Sequence, residues 1–284
     1  MAEAGLGTPC RRSLLVSAFG SLILIFSGAV AGGATPFRVL DPGGGAALDD
    51  SLRQSVGAAG MLEPHTSSLL IDYYETFLRD RDLGEFRDRV LARYTEETLC
   101  RVLASSPHAN ARRGAVLALG VVGSFDGCNA TLGRAMRDDD AVVRTMAERA
   151  LWVVWFRADT PENNQTLEDV RLLAATGRPD EAVELATKLI ARAPRFAEAY
   201  NQRAIAYFKL GRFAESAEDC QRVLAVNPYH VGALGGLAQC QMQLDQPREA
   251  LKTLRRSLKL QPHSAALSDN IRTLEAGLES DGPR

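Results

Sequence analysis

The stretch Gly177-Arg178-Pro179-Asp180-Glu181-Ala182 decides the fold, because it returns twice. Gly211-Arg212-Phe213-Ala214-Glu215-Ser216 follows after 34 residues, and Asp245-Gln246-Pro247-Arg248-Glu249-Ala250 after another 34. Pro194, Pro228 and Pro262 keep the same spacing. A fixed period of this length marks stacked supersecondary units, none of which can bury its apolar face alone. Apolar residues recur with helical periodicity over 163–189, 197–226 and 231–260, so each unit reads as two helices of about 12–14 residues. The glycine or aspartate supplies the tight bend between them, and the proline ends the second helix.

These units resemble the tetratricopeptide family. The middle one carries the resemblance on Tyr200, Ala204, Tyr207, Gly211, Ser216 and Pro228, and the third on Leu234, Leu237, Ala238, Ala250, Leu254 and Pro262. The first, most divergent unit keeps Gly177, Ala182 and Pro194. Small residues at Ala182, Ala204, Ala238 and Ala250 suit helices that cross at close range. Leu267, Ile271, Leu274 and Leu278 then form one stripe, as expected of a capping helix over 263–279 that covers the last repeat. The resemblance implies an all-α, right-handed superhelical α-solenoid with three repeats over 163–262.

Upstream a second period appears. Thr98-Leu99-Cys100-Arg101 matches Thr131-Leu132-Gly133-Arg134, and Arg112 to Ala118-Leu119 matches Arg144 to Ala150-Leu151. This part is similar to the short HEAT repeats of bacteria, whose turn aspartate and arginine fall on Asp140 and Arg144, and it sets a HEAT-like block at 64–157. Asp138-Asp139-Asp140 lacks the alternating ligands and the glycine of a calcium loop and reads as an acidic helix start. Trp152, Trp155 and Phe156 are expected to pack the end of this block against the first tetratricopeptide helix.

In such a solenoid the first helices line a concave groove that takes a peptide or partner helix. Read by periodicity, the first unit presents Leu167, Glu168 and Arg171. The second presents Glu198, Asn201, Gln202, Ile205, Phe208 and Lys209, and the third Gly232, Gly235, Gly236, Gln239, Met242 and Gln243. Amides there can pair with a partner's backbone, and Phe208 and Met242 offer apolar contact. Three glycines on one helix face imply either close approach of another backbone or tight helix packing. Some family members grip chaperone carboxyl termini with lysines, asparagines and an arginine; the matching places here hold Leu167, Arg171, Gln202, Gly232 and Gly236, which does not make that clamp.

Composition agrees with stacked helices. The 284 residues are 46% hydrophobic but only 6% aromatic, and the formal charge of −2 gives no basic field for nucleic acid. Only Lys188, Lys209, Lys252 and Lys259 are lysines among the 33 basic residues, an arginine bias that fits a GC-rich, bacterial source. Arg11-Arg12 precede an uncharged stretch at 13–34, which reads as a signal peptide cut after Ala31 or as an uncleaved anchor at 14–34. Either places the rest outside the cytoplasm, behind a glycine-rich spacer at 35–63. Cys100, Cys128, Cys220 and Cys240 lack paired spacing and read as small buried residues, with Cys220–Cys240 the one bridge to check.

Enzyme signatures are missing: no H-E-x-x-H, G-x-S-x-G, phosphate loop or dinucleotide fingerprint occurs. His65, His108, His230 and His263 each follow a proline closely and read as exposed loop residues. Asn129-Ala130-Thr131 would be a glycosylation sequon only in a eukaryote. The expectation is a non-enzymatic scaffold of the bacterial envelope with a protein or peptide partner, no cofactor, no metal and no nucleic acid. Its alternatives are an assembly factor for extended peptides, a lyase-like or regulatory accessory protein acting through the HEAT-like block, and a cytosolic adaptor.

Overall fold

The computed structural model describes residues 69–280, and all their regular structure is helical. The leader at 1–34, the spacer at 35–63 and His65 lie outside the described residues. In chain order the helices are α1 (Leu69–Asp80), α2 (Leu83–Leu91), α3 (Glu96–Ser105), α4 (Ala109–Val122), α5 (Phe125–Ala135) and α6 (Ala141–Phe156), then α7 (Pro161–Ala175), α8 (Pro179–Arg192), α9 (Ala197–Lys209), α10 (Phe213–Val226), α11 (Val231–Gln243), α12 (Pro247–Leu260) and α13 (Ala265–Ser280).

From α7 to α13 every helix packs on the next, and α7, α9 and α11 also touch in series. That is the contact pattern of an α-solenoid, in which each pair meets only its neighbours. The bends between paired helices share one backbone device at one spacing. Gly177, Gly211 and Asp245 all adopt positive φ, at 80°, 73° and 59°. Glycine enters this region freely, whereas Asp245 holds it at some cost. Pro179 and Pro247 open α8 and α12, where the missing N–H is harmless. Helix α7 starts at Pro161, two residues before the apolar pattern, because Thr160 caps it by accepting from the Asn163 N–H at 3.3 Å.

Close helix crossing needs small residues, and Ala182, Ala204, Ala238 and Ala250 are all buried. The α9–α10 pair is locked further by polar bonds. Ser216 Oγ donates to the Ala204 carbonyl at 2.8 Å, and the Arg203 guanidinium forks onto Asp219 at 2.7 and 2.8 Å, both side chains nearly buried. Cys128, Cys220 and Cys240 are buried, and all four described cysteines are free thiols. Burial pushes the Cys128 and Cys240 thiols up to about 12 and about 11, which leaves them protonated and unreactive.

The amino-terminal block stacks α3–α4 on α5–α6, with α1 and α2 closing on α4. Its turns are held by arginine–aspartate bonds. Arg112 grips Asp138 with two bonds of 2.8 Å, and Arg113 grips Asp140 at 3.0 and 2.7 Å. Asp140 also caps α6 by accepting from Val143 N–H at 2.9 Å, while Arg144 Nη1 donates to the Asp138 and Asp139 carbonyls. Arg113 hydrogen-bonded to it holds the Asp140 carboxyl below the usual carboxylate range. Arg157 closes the far end by donating to the Val121 and Gly123 carbonyls at 2.7 and 2.8 Å.

Candidate functional site

The inner helices α9 and α11 carry most of the expected groove, and the structure divides it into two parts. At their amino-terminal ends the face is occupied by α6. His230 caps α11, its Nδ1 accepting from Ala233 N–H at 3.0 Å. This bond leaves the ring proton on Nε2, which lies 2.9 Å from Glu198 Oε2. Glu198 Oε1 accepts from Asn201 Nδ2 and Gln202 Nε2, each at 2.8 Å. Glu198 and His230 are both sealed from solvent.

Two indoles provide much of the seal. Trp155 stacks on the His230 ring at 4.2 Å, and Trp152 meets it edge-on at 5.2 Å. Trp155 Nε1 donates to Asn129 Oδ1 at 2.7 Å, and Asn129 Nδ2 donates to Asn227 Oδ1 at 3.0 Å. A buried polar chain therefore runs from α6 through α5 to the α10–α11 turn. Two glycines make the approach possible, one from each side. A Cβ on Gly133 would stand 2.2 Å from the Tyr229 ring, and one on Gly232 would stand 2.6 Å from the Trp152 ring. A cavity of about 30 Å³ beside this junction, lined by Phe125, Trp155, Ala158, Arg195, Ala197 and Glu198, has room for a water and no larger ligand.

These contacts correct several expectations. Glu198, Asn201 and Gln202 do not offer free amides or a carboxylate to a partner, because they bond to one another and to His230. Gly232 admits the Trp152 ring of this same chain, not a foreign backbone. His230 is not an exposed loop residue; its capping bond and the indoles bury it, whereas His108 and His263 are exposed. Trp152 and Trp155 pack on the α10–α11 turn, and only Phe156 joins the cluster around Leu167 and Phe196 in the first unit. Leu167 is itself core. Asn129 is committed at both ends of its amide and buried, so it is no glycosylation acceptor.

The carboxyl-terminal ends of α9 and α11 differ. Ile205, Gly235, Gly236 and Gln239 are buried there, Phe208 and Met242 are half-buried, and Lys209 and Gln243 are exposed. Phe208 meets Phe213 edge-on at 5.2 Å, and the Lys209 ammonium donates to the Ala174 carbonyl at 2.6 Å. Arg171 is ion-paired with Glu168 on its own helix. Gln239 stands apart: neither its amide nitrogen nor its oxygen has a hydrogen-bond partner, although the residue is only 5% exposed. Leaving a buried polar group unbonded costs about 1–3 kcal/mol, so such groups call for a reason. Among the described residues no group of three histidine, cysteine or acidic side chains is placed to hold a metal, and no helix is long and apolar enough to cross a membrane.

Known proteins show the same repeat. Family models described as tetratricopeptide repeat match residues 197–230 and 231–264. A TPR repeat-containing protein of Rhizobium etli is 30% identical over 111 residues, 39% of this chain and 51% of that protein. Hsp70-Hsp90 organizing protein 1 of Glycine max is 33% identical over 92 residues, 32% of this chain and 16% of its own length. The chain thus spans about half of the first relative and a small part of the second. Among solved structures, the first TPR of Spaghetti (RPAP3), bound to an HSP90 peptide, aligns at 26% identity and a TM-score of 0.41, over 43% of this chain and 96% of that one. The matched residues coincide with the pairs α9–α10 and α11–α12 and with their left-handed bends at Gly211 and Asp245. Residues 197–264 thus form two tetratricopeptide repeats.

Proposed function

We propose that this protein is a non-enzymatic scaffold that holds an extended segment of a partner protein on the carboxyl-terminal ends of α9 and α11. Tetratricopeptide repeats mediate protein–protein interaction, and the inner helices are the ones that share a face here. The Trp152–Trp155 junction takes the other end of that face, which narrows the docking surface to Ile205, Phe208, Lys209, Gln239, Met242 and Gln243. The observation that carries this is the unbonded carboxamide of Gln239, which is buried in the free chain and turns outward to meet the partner. One donor and one acceptor on a single side chain match the carbonyl and N–H of a peptide backbone.

HEAT-like repeats in α3–α6 and a third tetratricopeptide unit in α7–α8 complete the scaffold. Its place is the bacterial envelope, with the segment at 1–34 as leader or anchor. A chaperone carboxyl terminus is not the partner proposed, because the face lacks the basic residues for it: Gly232 and Gly236 stand at two of those places.

The test is selection of binding peptides from a display library, followed by affinities for the native protein and for Gln239→Met. Methionine keeps the volume and removes both unbonded groups. Affinity is expected to fall at least fivefold while the melting temperature holds or rises, since the two net hydrogen bonds removed are together worth about 1–3 kcal/mol. Unchanged affinity in Gln239→Met refutes the assignment.

A further inference from the structure

The outer helix α12 differs in charge from its counterparts. It carries Arg248, Lys252, Arg255, Arg256 and Lys259 against a single acid, Glu249. In the preceding units α8 has two basic residues against three acids, and α10 one against three. The repeat dictates only the buried side of these helices, so the exposed side of α12 is free to serve another purpose. At about 100° per residue the five basic side chains fall within a single arc of roughly 100°, opposite the buried Ala250, Thr253, Leu254 and Ser257. All five are exposed. The row runs about 16 Å along the helix.

Little of this charge is spent internally. Lys252 pairs with Glu249, and Arg255 with Glu275 of α13, both in exposed bridges that are worth little in water. Arg248, Arg256 and Lys259 form no ion pair among the described residues. No aromatic side chain stands on the row to stack a base. What remains is an exposed strip of cations on an outer helix, in a chain whose overall charge is −2.

From this arrangement we infer that α12 is a second interaction surface, which adsorbs the protein to an anionic lipid bilayer. A headgroup surface presents charge without shape, and that is the partner such a strip fits. Clusters of four to eight basic residues on an amphipathic helix gain roughly fivefold in partitioning per residue near such a surface. The surface is distinct from the inner face assigned to peptides, so the two can be occupied together.

The experiment is sedimentation of the full-length protein with vesicles of phosphatidylcholine alone, or containing one-third phosphatidylglycerol. It compares the native chain with the triple variant Arg248→Ala/Arg256→Ala/Lys259→Ala. The readout is the ratio of partition coefficients on anionic and neutral vesicles, so any contribution from the apolar segment at 13–34, common to both lipids, cancels. The expected result is an anionic preference that falls about 100-fold in the variant, and that fades for the native chain between about 0.1 M and 1 M salt. The replaced side chains are exposed, and equal helicity by circular dichroism verifies the fold. A native chain without anionic preference overturns the inference, as does a variant that keeps it. If the same three residues instead govern tighter binding to duplex DNA than to vesicles, the lipid partner is wrong.

Discussion

Glu198 is the acceptor on which three buried donors converge, and its removal should be felt throughout the junction. Replacing it by alanine leaves Asn201 Nδ2, Gln202 Nε2 and His230 Nε2 without the partners they hold at 2.8, 2.8 and 2.9 Å. The His230 ring cannot escape by changing tautomer, because Nδ1 is committed to Ala233 N–H. At roughly 1–1.5 kcal/mol per orphaned donor the loss is about 4 kcal/mol, within the range seen when one partner of a buried pair is removed. His230→Ala should cost about 3 kcal/mol, from the cap and the indole stack together. In the double variant one lost bond is counted once, so its cost should fall short of the sum by at least 1 kcal/mol.

Urea unfolding at neutral pH, followed by circular dichroism, measures these differences through midpoints at constant slope. Fluorescence gives an independent reading, because the chain has only two tryptophans and both lie against His230. Their emission should shift to the red in Glu198→Ala while helicity is retained. A loss under 1 kcal/mol, or additivity within experimental error, would refute the network as drawn.

Three further outcomes follow from the same geometry. Gly133→Ala and Gly232→Ala each drive a methyl into an aromatic ring, at Tyr229 and Trp152, and should each cost about 1–3 kcal/mol in melting experiments. Gly211→Ala meets nothing within 4 Å, so its loss of about 1–2 kcal/mol should come from the positive φ alone and should shrink in Gly211→Asn. For pH, Asp140 is held low by Arg113, so its stabilisation is present above the unfolded carboxyl range near 4 and is lost as pH falls through the folded value. Glu148 is the opposite case: burial raises it, its contribution is present below the unfolded range, and it is lost as pH rises through the folded value. Glu148→Gln should therefore gain stability at pH 7 and none below about pH 4, whereas Asp140→Asn should lose stability at pH 7; chemical denaturation across pH measures both.

The helices and bends were legible because a period repeats its evidence. Gly177, Gly211 and Asp245 fall 34 apart in sequence and adopt one backbone conformation in space. The inner face was read less well, for a physical reason. Helical periodicity states which residues share a face, not what covers that face. Glu198, Asn201, Gln202 and Gly232 share the side of the inner helices, and a second block of the same chain closes over them. His230 was misread because a residue two places after a proline sits at a corner, and corners are usually exposed. Its signal was present in another form: it stands at the cap of an apolar helix, in a chain that holds two tryptophans only three residues apart. Register alone places Gln239 on the inner face, and only the packing around it leaves its amide unbonded.

The central claim is that a partner segment lies on the carboxyl-terminal ends of the two inner helices. Photocrosslinking tests it most directly, with a photoreactive residue at Gln243 and, in a separate preparation, at Val226, exposed on the outer helix α10. A selected peptide should form an adduct at 243 and none at 226, and excess unlabelled peptide should abolish it. Adducts at 226, or equal labelling of both positions, would contradict the account.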